Sequence, residues 1–286
     1  MMHHFLKENN QFKHHSLFIN EIVSPLAYIL FFLFLLIQVF GSVAYSDDLF
    51  PHRKTYPNVK TISTEELKEA YEDSIIVDAR SSLEFLVIHI KGAINATLSS
   101  PSYITKIKQL RKKHPEKRIV VYCNGFTCSV SYRAVLKAMD NNIENIVAYD
   151  SGVSTWVKEH PEKTTLMNES PADLNKLISK NEFNRAVLTF HELQKRSLEK
   201  NTIVLDIREK HQRNKELKLN GIKHIRLNSL LLKLASQAYK GKTLLFIDDA
   251  GKQLQWLQYY LESNGHKSYY FLKGGAISLS SDSFAN

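Results

Sequence analysis

Four short stretches of this chain occur twice, in the same order. "STEEL" at Ser63–Leu67 returns as "TFHEL" at Thr189–Leu193, and "IIVDAR" at Ile75–Arg80 as "IVLDIR" at Ile203–Arg208. "RIVVYC", ending at Cys123, returns as "TLLFID", ending at Asp248, and "YDSGV" around Gly152 as "LKGGA" around Gly275. The offsets are 126, 128, 125 and 123 residues. Such constancy over four landmarks means a duplicated domain rather than one large sheet. Each copy opens on a Ser/Thr-x-x-Glu capping box, which starts a helix by satisfying its free N–H groups.

Within each copy, short β-branched runs alternate with helix-period segments. "IIVD" and "IVVYC" are buried-strand runs, and Val130, Ala134, Val135, Ala138 and Met139 mark one helix face, as Leu254, Leu257 and Leu261 do in the second copy. The order predicts an α/β fold with a mainly parallel sheet flanked by helices, whose ligands sit beyond the carboxyl ends of the strands. At 286 residues there is chain enough for two cores. The expected division is a leader at 1–46, a first domain at 57–160 and a second at 183–281. Between the domains, a linker at 161–182 lacks a sustained strand pattern.

From Ile22 to Ser46 no residue is charged, and "PLAYILFFLFLLIQVF" is continuously apolar. Such a run is a cleavable export signal or an N-terminal membrane anchor. The alternating small residues Ser42, Ala44 and Ser46 suit signal peptidase, whereas the leader is long and its four charges, Lys7, Glu8, Lys13 and Glu21, cancel. Either way the chain after about Asp47 is exported, to a periplasmic or other extracytoplasmic compartment. There Cys123 and Cys128, the two cysteines of the chain, could form a local disulfide.

The net charge of +9 belongs to the part after the leader. It attracts anions of any kind, and the absence of zinc-type Cys/His clusters or an aromatic-rich basic motif makes nucleic acid the weakest partner. No metal or cofactor is called for. The basic run Lys106–Arg118 reads as the solvated face of a helix.

Cys123 ends a strand and a helix begins near Ser129, so "NGFTC" curls over a helix N-terminus, where unpaired amides stabilise an anion and lower a thiol pKa. Gly125 permits a tight path through positive φ. By position alone, Cys123 is either a nucleophile or a small apolar residue finishing its strand.

The first copy, from about Thr61 to Trp156, resembles a rhodanese domain. The resemblance is carried by "VDARSSLEF", "HIKGAIN", "VVYCNGFTCS" and "YDSGVSTW". It implies sulfur transfer: Cys123 takes the outer sulfur of a small anionic donor such as thiosulfate, carries it as a persulfide, and yields it to a thiol, a cyanide-like acceptor or a protein. It also implies that the loop amides from Asn124 through Gly125, Phe126, Thr127 and Cys128 to Ser129 cradle the persulfide, with the Ser129 hydroxyl capping the helix. Asp78, Arg80 and Glu84 match supporting positions, with Asp78 fixing its strand end and Arg80 pairing with Glu84. His89 matches a packing histidine, whereas His52, His114 and His160 are expected to be solvated.

The chain departs from the family pattern at Phe126, where a glycine is usual, and at Cys128, where Arg or Lys is frequent. Ile88 and Lys91 replace a Gly and a Pro. The missing cation puts thiosulfate itself in doubt, although Arg133, one turn into the helix, could substitute. Cys128 could instead resolve the persulfide, making the domain a dithiol redox element. The Cys-x4-Cys spacing is not that of thioredoxin, and Ser129 stands where a cysteine phosphatase needs Arg. In the second copy Asp206 and Arg208 persist, but Asp248 cannot accept a sulfane sulfur, so this domain is expected to be inactive and to pack against the first by default, the alternatives being to shape its substrate cleft or to bind a partner. The alternative from another class is a non-catalytic exported scaffold.

Overall fold

The computed structural model describes residues 49–213, 216–279 and 283. The apolar leader therefore lies outside the described residues. Among those described, no helix is long and apolar enough to cross a membrane. The compact unit that holds both repeats begins at Phe50, ahead of the Pro57 expected, because the helix His52–Thr55 and its flanking residues pack onto the first repeat.

The strands of the first repeat are β1 (Ser74–Asp78), β2 (Ile88–Ile90), β3 (Ile94–Asn95), β4 (Arg118–Tyr122) and β5 (Ile146–Tyr149). They build a parallel sheet in the order β3-β1-β4-β5, with Asp78 level with Tyr122. After β6 (Thr164–Leu166), the second repeat supplies β7 (Val187–Leu188), β8 (Thr202–Asp206), β9 (Ile222–His224), β10 (Thr243–Ile247) and β11 (Tyr269–Leu272). These form a parallel sheet in the order β7-β11-β10-β8-β9, with Asp206 level with Ile247. The repeat read from the sequence is thus a repeat of structure.

β-Branched runs make these strands because their side chains pack well on a pleated surface. With helices on both faces, the central strands are apolar throughout rather than alternating. Val77, Val121 and Ala148 face one layer of the first core, and Ile76, Val120 and Tyr122 the other. Capping boxes Ser63/Glu66 and Thr189/Glu192 open the helices Thr64–Glu69 and Phe190–Ser197 as the sequence predicts.

Part of the expected linker is structured. Its β6 pairs antiparallel with β2, so a segment without strand pattern in sequence is held by a partner strand from 76 residues earlier (His89 against Thr165). The repeats also share a core: Leu227, Leu231, Trp256 and Tyr259 of the second pack against the second layer of the first.

Candidate active site

The cysteine loop sits where a parallel sheet exposes its strand ends. Cys123 follows β4, and the helix Val130–Met139 follows the loop. From behind, the helix Gly152–Glu159 braces the loop: Val153 N–H donates to Cys123 O and Ser154 N–H to Asn124 O, both at 3.0 Å. Gly152, at φ +63°, makes this possible, since a Cβ there would lie 2.5 Å from Gly125 N and 2.6 Å from Cys123 O. Gly125 serves differently from expectation. It has no positive φ, and its bare Cα faces the Ser151 carbonyl, 3.3 Å from where a Cβ would sit.

Asp78 and Arg80 form a buried pair below the loop, with Arg80 Nη2 2.6 Å from Asp78 Oδ2. Burial opposes the charge on Arg80, but the adjacent Asp78 carboxylate outweighs it and raises its pKa further. The expected Arg80–Glu84 ion pair is absent. Asn124 stands between them instead: Arg80 Nη1 donates to Asn124 Oδ1 at 2.9 Å, and Asn124 Nδ2 donates to Glu84 Oε1 at 2.8 Å. Glu84 is occupied as the distal half of a capping box with Ser81. A side chain already used for a cap cannot also chelate the guanidinium, so the loop is tied down through Asn124.

The two thiols are free. Cys123 is 0% exposed, and its Sγ–H points at Cys128 O (3.3 Å) and Ser131 Oγ (3.5 Å). Contrary to the sequence expectation, burial pushes the Cys123 thiol up. Cys128 goes down, to about 6, because the neighbouring Cys123 thiol and, against the cost of its own burial, the amides of Asn124 and Val130 stabilise its charge. Of the amides expected to cradle a persulfide, that of Asn124 also stabilises a charge on the Cys128 sulfur. Ser129 occupies the N-cap position in a helical conformation and makes no side-chain cap. A cavity of about 650 Å³ opens over the loop, and Asn124, Thr127, Cys128 and Arg133 line it whereas Cys123 does not.

Some neighbours of the site went unnoticed in the sequence. Phe50 meets Phe126 edge to face at 5.0 Å, His52 Nε2 lies 3.1 Å from Thr127 O, and Arg53 Nε donates to Asp150 Oδ2 at 2.9 Å. Asp150 also accepts from the Tyr132 hydroxyl of the helix that follows the loop. The signal available was Phe126 itself, an aromatic in a loop where a glycine was expected.

Among the histidines, His89 stacks on Phe85 with ring centroids 4.1 Å apart, and burial lowers its pKa. His52 is half-buried against Tyr132 and His160 is buried against Trp156, so neither is simply solvated; His114 is half-buried.

A family model for the rhodanese-like domain matches residues 63–159 and 189–280. Among curated proteins, the chain is similar to a tRNA uridine(34) hydroxylase of Shouchella clausii, 30% identical over 116 residues that cover 40% of this chain and 34% of that protein. A protein of the same name from Bacillus cereus is 35% identical over 119 residues, 40% of this chain and 35% of that one. The chain therefore spans about a third of the length of these curated relatives. Among solved structures, thiosulfate sulfurtransferase from Pseudomonas aeruginosa aligns at a TM-score of 0.33 and 19% identity, covering 85% of this chain and 47% of that one.

Proposed function

We propose, from the premise that this chain belongs to the rhodanese-like domain family, that it is an exported sulfurtransferase working through Cys123 with Cys128 as its proton acceptor. The observation that carries this reading is the strand-end loop that brings two free thiols to one cavity, with Cys123 buried, its Sγ 3.3 Å from Cys128 O, and Cys128 lining the cavity. The Cys128 thiolate takes the Cys123 proton as the Cys123 sulfur attacks the outer sulfur of a donor such as thiosulfate. The donor's S–S bond breaks, sulfite leaves with the electron pair, and Cys123 keeps the outer sulfur as a persulfide. A thiolate or cyanide acceptor then attacks that sulfur and returns Cys123 as a thiolate, which recovers its proton from Cys128. Asp78, Arg80, Asn124 and Glu84 fix the loop, and Arg133 contributes positive charge at the cavity.

The closeness of the two residues, with Cys123 Sγ 3.3 Å from Cys128 O, favours a second reading of the same pair. Cys128 attacks the inner sulfur of the Cys123 persulfide, releasing hydrosulfide and leaving a Cys123–Cys128 disulfide that an external thiol must reduce. Hydroxylation of tRNA, the activity in the relatives' names, is not adopted, because the match spans about a third of those proteins. Export rests on the apolar run Ile22–Ser46.

Intact-mass analysis after incubation with thiosulfate, together with thiocyanate release on adding cyanide, tests the proposal. A gain of one sulfur in the wild type, lost in Cys123→Ser, supports it. No gain with any donor points to the non-catalytic scaffold. Activity surviving Cys123→Ser overturns the site assignment.

A further inference from the structure

The second repeat does more than pack against the first. The cavity over the cysteine loop has a wall from each repeat: Asn124, Cys128 and Arg133 come from the first, and Lys252, Gln253 and Trp256 from the second. Trp256 packs on the core of the first repeat and lies 5.6 Å from the Arg80 guanidinium, so the two walls are held in register.

The charges lining this cavity are not equivalent. Arg80 is neutralised by Asp78, and Glu84 accepts hydrogen bonds from Ser81 and Asn124. Arg133 and Lys252 have no side-chain hydrogen bond or ion pair among the described residues. The backbone on either side of Lys252, itself an exposed residue, is fixed. The Asp248 carboxylate accepts Gly251 N–H at 2.6 Å and Gln253 N–H at 3.1 Å, so both neighbours of Lys252 are tied to the residue that replaces the cysteine. A Cβ at Gly275 would lie 2.5 Å from Gly251 N, so the same loop is braced from behind.

We propose that Lys252 and Arg133 form a two-cation seat for a small sulfur-bearing dianion of the thiosulfate class. The second repeat thereby supplies the charge that the cysteine loop lost at Cys128, and Asp248 serves to position Lys252. The identity of the anion rests on the sulfur-transfer reading; the seat itself rests on the cavity and its unpartnered cations. Two unpaired cations facing one cavity raise the local concentration of a dianion and hold it beside Cys128, the thiol that lines it.

Calorimetric titration of thiosulfate into the full chain carrying Cys123→Ser, which forms no persulfide on that residue, measures the seat without turnover. Adding Lys252→Glu weakens binding by about tenfold or more, Lys252→Arg leaves it within about threefold, and raising the salt shrinks the difference between them. Asp248→Ala, which frees the loop, weakens binding by a smaller factor than Lys252→Glu. Unchanged affinity in Lys252→Glu, or no binding by the parent, overturns the seat. Thiocyanate release measured in parallel separates the two readings: turnover with an unaltered KM in Lys252→Glu removes the seat and leaves sulfur transfer standing. Lysine-dependent binding with no persulfide in the wild type removes sulfur transfer and leaves the seat.

Discussion

The loops after β4 and β10 are the same construction around different side chains, two thiols in the first and a carboxylate in the second. Each follows a parallel strand whose neighbour ends in an Asp-x-Arg pair, Asp78/Arg80 in one and Asp206/Arg208 in the other. Both are braced by amides further along the chain, 30 residues on in the first and 28 in the second: Val153 and Ser154 donate to Cys123 O and Asn124 O, as Ala276 and Ile277 donate to Asp248 O and Asp249 O. In the first loop the amides of Asn124 and Val130 are directed at the Cys128 sulfur; in the second, those of Gly251 and Gln253 are directed at the Asp248 carboxylate. The comparison teaches that the scaffold's constant property is an anion held by backbone amides. What varies is whether that anion can do chemistry. A thiolate can exchange protons and sulfur with a second thiol, whereas a carboxylate can only staple.

The largest expected effect breaks the comparison at its reactive atom. Cys123→Ser abolishes persulfide formation, lowering thiocyanate release by about a thousandfold or more, since a hydroxyl cannot carry a sulfane sulfur. Asp248→Ala leaves the second loop as silent as before, and mass spectrometry of each repeat after proteolysis checks both.

Next is the shared brace. Gly152→Ala and Gly275→Ala each drive a methyl group to about 2.5 Å from backbone atoms, at φ +63° and +67°. Each should cost about 3 kcal/mol of stability, read by denaturant midpoint, because both the clash and the left-handed conformation oppose alanine. Only Gly152→Ala should also displace Cys123 and reduce turnover beyond what the lost folded fraction explains.

Cys128→Ser sharpens the distinction between the two anions. In the wild type the thiol pair holds a thiolate above about pH 6, so turnover rises through that pH and levels above it. Without Cys128, the remaining thiol is one that burial holds above the usual cysteine range. Turnover at pH 7 should fall by about tenfold or more, and its onset should move to higher pH, as a pH–rate profile of the variant would show. A profile that keeps its onset near 6 removes Cys128 as the proton acceptor.

Much of this was legible in the sequence. The repeat, the parallel strands and the capping boxes follow from local pattern: β-branched runs, Ser/Thr-x-x-Glu, and Asp-x-Arg at strand ends. What was not legible depends on partners far along the chain. The ionisation order of Cys123 and Cys128 is set by which sulfur is buried and which meets the amides, and spacing does not reveal that. Arg80 reaches Glu84 only through Asn124, 44 residues on. Thr164–Leu166 becomes a strand only because β2 presents an edge to it. That Lys252 lines a cavity together with the cysteine loop depends on how the two repeats pack, which local pattern does not carry.

The smallest expected effect concerns what the first loop has beyond the elements it shares with the second. The segment that follows the leader touches the loop at Phe126 through Phe50 and at Thr127 O through His52, and it is pinned by Arg53 on Asp150. Asp150 is 1% exposed and also accepts from Tyr132, so Arg53→Ala leaves a buried carboxylate with a single neutral partner. Arg53 is about one-third exposed, which discounts the pair for solvent screening, and a loss of about 1 kcal/mol follows. For a two-domain unit of this size that is a shift of only a few degrees in Tm. The loop should respond more than the fold, because His52 shares a short helix with Arg53 and Phe50 lies just ahead of it. Hydrogen exchange at Phe126 and Thr127 should therefore accelerate severalfold in Arg53→Ala while the amides of the loop after β10 are unmoved. Equal acceleration in both loops would mean that Arg53 stabilises the unit as a whole and that the segment has no particular hold on the cysteine loop.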